Sequence, residues 1–292
     1  MIQRPSKQRN VISNPLKRTD VFRCTHLAHK DFDFTVSAYH VLTEKKCYPD
    51  GCIDFRWHCA LLKRKEKCHR GFSFVGRECL SCKHFIEEKN QRVPRLLISG
   101  EEYEEFKERV EEFTGYFEGL RGKTIDFSGT IASVKPMIVG LDNSNGRRLA
   151  GFLIRFKEGF FGADNIRSPI YAHLGTGAQQ NHGLRAGDVV DFNCYAFIDR
   201  GRIVLKKIRR ISVLRRGDGY LWEVAKARVA VSSGNFLDRK PRKCRSCEMG
   251  VLVDSGDGNC GRSGRRIFCM QGMDDPSECV YNLYAKHVKE AV

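Results

Sequence analysis

The spacing of apolar residues changes twice along this chain. From 99 to 119, Tyr103, Phe106, Val110, Phe113 and Phe117 fall three and four apart, which predicts one amphipathic helix. Ser99 is placed to cap it, and Glu101 and Glu102 suit its positive end. From Lys123 to about Leu214 the period drops to two. Five strands are predicted there: Ile125 to Ile131 (with Gly129 marking a bulge or bend), Arg148 to Phe156, Ile170 to Leu174, Val189 to Ile198, and Ile203 to Val213. The last is entered through the turn Asp199-Arg200-Gly201-Arg202. Alternation then assigns faces. Phe152, Ile154, Phe156, Ala172, Leu174, Val190, Phe192 and Cys194 point inward, so Arg155, Lys157, Tyr171, His173, Tyr195 and Phe197 point outward.

Outside these stretches neither period holds. Residues 1–20 carry Pro5, Pro15 and several Lys and Arg, and read as a disordered basic arm. Residues 21–95 read as a cysteine-rich module with Phe32, Phe34, Tyr39, Phe55, Trp57, Phe72 and Phe74 as its small core. A core of that size needs metal to stay folded. Residues 217–240 are a connector with a short helix, Tyr220 to Val231. From 241 to 292 runs a second, zinc-ribbon-like module ending in a helix from Ser277 to Lys289. The expected class is therefore mainly β with α elements (α+β).

Five strands in about 90 residues, a glycine in the first, and Leu184-Arg-Ala-Gly-Asp-Val-Val190 before the fourth resemble an OB-fold barrel over residues 121–216. The pattern departs in one respect: Gly175 to Gly183, between strands three and four, is Gly-rich where such barrels often carry a helix. The resemblance implies a single strand of nucleic acid bound across strands two and three and between the loops joining strands 1–2 and 4–5. Those loops are Gly140–Arg147 and Asp199–Arg202 here, which adds Arg147, Arg148, Arg200 and Arg202 to the outward residues.

Charge points the same way. Lys and Arg number 51 against 35 Asp and Glu, a net +16, although residues 101–118 hold eight Glu against Lys107 and Arg109. Residues 121–216 carry 17 Lys/Arg and seven Asp/Glu. The partner expected from such a surplus is a polyanion, most often nucleic acid, DNA or RNA. No run of about 18 apolar residues predicts a membrane span, and Met1 to Arg18 lacks the apolar stretch of a secretory signal. A cytoplasmic or nucleoid-associated protein is expected.

The 13 cysteines segregate to the two ends. Cys47, Cys52, Cys59, Cys68, Cys79 and Cys82, preceded by Cys24, form one cluster; Cys244, Cys247, Cys260, Cys269 and Cys279 form the other. In a reducing compartment, clustered thiols on short polar loops point to metal rather than disulfides. Each cluster holds one C-x-x-C pair, Cys79–Cys82 and Cys244–Cys247, but neither has a second pair some 15–20 residues on. His26, His29, His58, His69 and His84 can each replace a sulfur. Zinc is expected at the C-terminal set, and zinc or an iron–sulfur cluster at the N-terminal one. Cys194, in an apolar strand, is expected to be an inert buried thiol.

Enzyme signatures fail on inspection. Gly122-Lys123-Thr124 follows a helix and precedes a strand, the reverse of a phosphate cradle, and no His-x-Glu accompanies Pro241 and Cys244 as a zinc deaminase requires. The reading is a nucleic-acid-binding protein with a central OB-like barrel between two metal modules. Two other classes compete: an iron–sulfur or zinc enzyme of nucleic-acid modification or repair, and a scaffold docking a protein partner through helix 101–118.

Overall fold

The computed structural model describes residues 10–26, 29, 33–140, 146–237, 242–257 and 262–279. Strands predominate in a mixed α/β arrangement. The chain divides into two compact units, Asn14–Glu112 and Phe113 onward, the latter with the short segment before Asn14. That segment supplies strand β1 (Val11–Ile12), which pairs with Asn165 and Ile166. Expected disorder over 1–20 is thus corrected for residues 10–20. Asn14 caps a helical turn at Pro15–Lys17, and Leu16 is buried. Residues 1–9 lie outside the described residues.

The first unit contains β2 (Phe22–Arg23), β3 (Cys52–Cys59), the one-turn helix α1 (Ala60–Lys63), β4 (Phe85–Arg92), β5 (Arg95–Leu96) and the start of helix α2 (Gly100–Gly119). Strands β3 and β4 form an antiparallel hairpin paired from Cys52↔Arg92 to Cys59↔Phe85. Helix α2 begins with a reciprocal cap: Glu102 N–H donates to Ser99 Oγ at 3.2 Å, and Ser99 N–H to Glu102 Oε2 at 2.8 Å.

The core of this unit differs from expectation. Val21, Phe22, Cys24, Val36, Ala38, Val41, Cys47 and Phe106 fill it. Of the predicted core, Phe55, Trp57, Phe72 and Phe74 are exposed, Phe34 and Tyr39 are half-buried, and Phe32 is outside the described residues. The reason is topological. A two-stranded hairpin has one face more than this small unit can cover, so the alternate aromatics of β3 stay in solvent, where Trp57 donates to Glu87 and Lys89 lies over Phe55. Helix α2 supplies the missing apolar mass through Phe106.

The second unit holds β6 (Ile125–Val139), β7 (Arg148–Phe156), β8 (Gly159–Phe161), β9 (Asp164–Ile166), β10 (Ile170–Leu174), helix α3 (Thr176–His182), β11 (Val189–Asp199), β12 (Arg202–Arg215), helix α4 (Val224–Ser233), β13 (Asn235–Leu237), the short helix α5 (Arg242–Ser246), β14 (Gly250–Asp257) and β15 (Arg262–Cys269). Eight strands make the large sheet. Within it β6 pairs with β7, β7 with β10, β10 parallel to β12, β12 with β11, and β11 with β6 again. Phe152, Ile154, Phe156, Ala172, Leu174, Val190, Phe192 and Cys194 are all buried, as alternation required.

Gly129 makes no bulge: it pairs regularly with Val190, and the irregularities of β6 lie at Ile131/Ser133 and Met137/Ile138. A Cβ there would come within 2.8 Å of the Phe127 ring, which itself packs 4.7 Å from the Phe156 ring. The glycine makes room for that aromatic pair.

The Gly-rich stretch is also corrected, since Thr176–His182 is helical. Propensity alone would not hold so short a helix. Buried Gln179 does, donating to the carbonyls of Leu184 and Trp222, while Gly183 ends the helix in a left-handed conformation. The connector helix starts at Val224 rather than Tyr220. Arg262 to Arg266 lie in β15, and β13, β15 and β14 form a separate three-stranded sheet. The expected helix from Ser277 is not helical through Cys279 and thereafter falls outside the described residues.

Candidate nucleic-acid interface and cysteine sites

The register of β7, β10, β12 and β11 puts four residues in one row: Arg155 opposite Tyr171, Tyr171 opposite Val204, and Val204 opposite Phe197. Residues in such a row share one face of the sheet. The rings on this face are each covered by a cation. Arg202 lies 5.6 Å from the centroid of Tyr171, Lys206 5.5 Å from Phe197, and Lys207 5.4 Å from Tyr195. Tyr171, Tyr195 and Phe197 are half-buried, and Arg155, Lys157 and His173 are exposed. The protein packed around the His173 ring still desolvates it in part and lowers its pKa, and the charge of Lys206 lowers it further.

Lys206 and Lys207 were not among the expected residues. Strict alternation sends only one of two neighbours outward, yet both are exposed. The pairing slips by one residue between Asn193↔Arg209 and Tyr195↔Lys206, and again between Asp191↔Ser212 and Asn193↔Arg209. Lys207 and Arg210 take left-handed backbone at these slips, with φ of 53° and 52°. Doubled cations inside an otherwise alternating strand were the available signal for these bulges.

The loop arginines divide. Arg200 and Gly201, both at positive φ, make the two-residue turn between β11 and β12. Arg148 is exposed at the start of β7. Arg147 is employed inside the fold: it donates to the carbonyl of Gly234 at 3.0 Å and stacks 4.9 Å from Phe268. Residues 141–145 of the same loop lie outside the described residues.

The cysteines are less gathered than the sequence suggested. Among the described residues, no group of three or more His, Cys, Asp or Glu side chains is set to hold a metal ion. In the C-terminal sheet, however, Cys244, Cys247, Cys269 and Cys279 line one cavity of about 20 Å³, closed by Leu237 and Met249. That is room for a single atom of water size. Gly250 permits the close turn here, because a Cβ on it would collide with the Cys244 carbonyl. Cys260 lies outside the described residues.

The six N-terminal cysteines do not form one cluster. Cys52 and Cys59 stand at opposite ends of β3. Cys24 and Cys47 are buried at the Cys52 end. Burial pushes the Cys47 thiol up in pKa, and nearby Cys52 and Cys24 push it further. At the other end, Cys82 N–H bonds to Cys79 O, Phe85 N–H to Cys82 O, and Arg70 Nη1 to Glu78 O. The amide of Arg70 also donates to Cys68 Sγ at 3.4 Å.

Helix α2 turns its apolar side inward, with Phe106, Phe113 and Phe117 all buried, and its exposed positions are mostly Glu, with Lys107 and Arg109 among them. No helix among the described residues is long and apolar enough to cross a membrane. No family model matches the chain, no curated protein matches it, and no solved structure matches it.

Proposed function

We propose that this protein binds single-stranded nucleic acid, DNA or RNA, on the outer face of an OB-like barrel formed by β6, β7, β10, β11 and β12, and that its cysteine-rich segments fold around metal. Three features support the barrel reading: the round of pairings that returns to β6, the parallel β10–β12 pair, and helix α3 between the third and fourth strands. The cavity lined by Cys244, Cys247, Cys269 and Cys279 supports zinc at the C-terminal site; zinc or an iron–sulfur cluster is the reading for the N-terminal cysteines.

The observation that carries the binding reading is the row of cation-covered rings. A base stacking on Tyr171, Tyr195 or Phe197 gains about 1–3 kcal/mol. Arg202, Lys206 and Lys207 then move from ring face to phosphate, exchanging a modest cation–π contact for a charge-assisted bond. Rings for bases and cations for phosphates thus lie on one face.

Fluorescence anisotropy with labelled oligothymidylate and oligouridylate of equal length, over a range of salt, tests this. The double variant Arg155→Ala/Lys157→Ala should weaken binding about tenfold and flatten the slope of log K against log salt by about 1.4, or about 0.7 for each phosphate no longer neutralised. Unchanged affinity and slope would remove this face from the proposal.

A further inference from the structure

Strand β3 runs extended from Cys52 to Cys59, and its ladder with β4 is unbroken over all eight residues. At about 3.3 Å per residue its ends stand about 23 Å apart. Two sulfurs on one zinc, each about 2.3 Å from it, cannot lie farther apart than about 4.6 Å. No side-chain rotation closes such a gap. If the N-terminal cysteines bind metal, they do so at two separate places.

Four cysteines belong to the far end of the hairpin, although no three of them are already set around an ion. Cys59 ends β3, and Ala60 N–H bonds to His84 O at 2.8 Å. Cys79 and Cys82 lie in the turn leading into β4, and the Arg70–Glu78 bond ties the Cys68 turn to them. The near end has three cysteines. Gly51, at φ 87°, closes the five-residue step from Cys47 to Cys52, and Cys24 joins them in the same buried cluster. A candidate for a fourth ligand is His26, two residues beyond Cys24 in the chain. Its Nε2 lies 3.7 Å from Oδ1 of Asp54, and Asp54 shares a strand face with Cys52. Asp54 is 8% exposed; its Oδ2 accepts no hydrogen bond among the described residues but lies 3.5 Å from Nε of Arg56 and 3.9 Å from Nε of Arg92, which leaves Oδ1 to face the histidine. A carboxylate behind one ring nitrogen is the usual support of a ligating histidine.

We infer that the first unit holds two zinc ions, one at Cys59, Cys68, Cys79 and Cys82, and a second at Cys24, Cys47, Cys52 and His26 with Asp54 orienting the histidine. This rests on the reading of the clustered cysteines as metal ligands. Each ion gathers its thiols by side-chain rotation on backbone that already brings them to one end of the hairpin. A three-sulfur, one-nitrogen site and a four-sulfur site both suit structural zinc.

Elemental analysis of the full chain, purified without oxygen, is the test. With the C-terminal site, wild type should carry three zinc per chain, and Cys68→Ser and Cys24→Ser should each remove one. Cys24 is buried, so its variant can fail for want of folding; His26→Ala, at a half-buried position, should also remove one zinc while Cys68→Ser still removes another. A wild-type count of two that His26→Ala leaves at two would overturn the second site while sparing the metal reading. No metal at all would overturn both, and iron with acid-labile sulfide would overturn the assignment to zinc.

Discussion

Lys135, on strand β6, donates its ammonium to the carbonyl of Cys247 at 2.7 Å. The same ammonium reaches the carbonyls of Gly250 at 2.7 Å and Arg245 at 3.1 Å. One side chain thereby serves three acceptors around the turn that carries the C-x-x-C pair. Burial lowers the pKa of Lys135, while the charges of Cys247 and Glu248 oppose that shift.

Lys135→Met keeps the length of the side chain and removes all three bonds. About 1.5–3 kcal/mol should be lost, the range for hydrogen bonds to a charged group. Hydrogen exchange should localise the loss to residues 242–253, with β10 and β11 protected as before. Uniform loss of protection across the second unit would contradict a local bolt.

Asp188 is fully buried and accepts three bonds, from Gly217 N–H at 2.7 Å, Arg185 N–H at 3.1 Å and Arg216 Nη1 at 3.2 Å. Its own carbonyl accepts from Ile131 N–H at 2.8 Å. Asp188→Ala leaves two backbone donors unmet and should cost about 3 kcal/mol. A denaturation midpoint within error of wild type would show that water replaces the carboxylate at no cost.

His173 should make stability depend on pH with a definite sign. Its folded pKa is lowered, so the unfolded chain takes up the proton first. Its contribution is intact above the ordinary value near 6.5 and is lost as pH falls through the folded value. His173→Gln should flatten the decline in stability below that pH. A bound phosphate beside His173 favours the charged ring, so affinity for an oligonucleotide should rise as pH is lowered from about 7 to about 5.5 in wild type and not in the variant.

Cys194 is pushed up to about 12, first by burial and then by the charge of Asp126. At about pH 8 it remains a thiol and therefore a poor nucleophile. Native protein treated with iodoacetamide should leave Cys194 unmodified by peptide mass spectrometry, with modification only after denaturant is added.

Much of the second unit was legible in the chain. Alternation across Phe152, Ile154 and Phe156, and across Val190, Phe192 and Cys194, placed the inner and outer residues of β7 and β11, because side-chain direction in a strand is set by neighbours in sequence. Arg155, Lys157, Tyr171 and His173 were found by the same rule. It failed at Lys206 and Lys207, where bulges break the period, and at Arg147, which packing against Phe268 draws into the fold. Helix α3 was missed because Gln179 holds it through bonds to residues outside it.

The cysteines divide the two sources of information most plainly. Sequence by itself determined that the thiols cluster at both ends, that helix 99–119 has one apolar side, and that the outer face of the strands is basic and aromatic. All three follow from local spacing. Only the tertiary structure decided that Cys52 and Cys59, seven residues apart, stand at opposite ends of an extended strand, and that Cys279 joins Cys244, Cys247 and Cys269 around one cavity. Spacing along a chain bounds how far apart two residues can be. Which residues come together depends on strand pairing and packing between residues far apart in the chain.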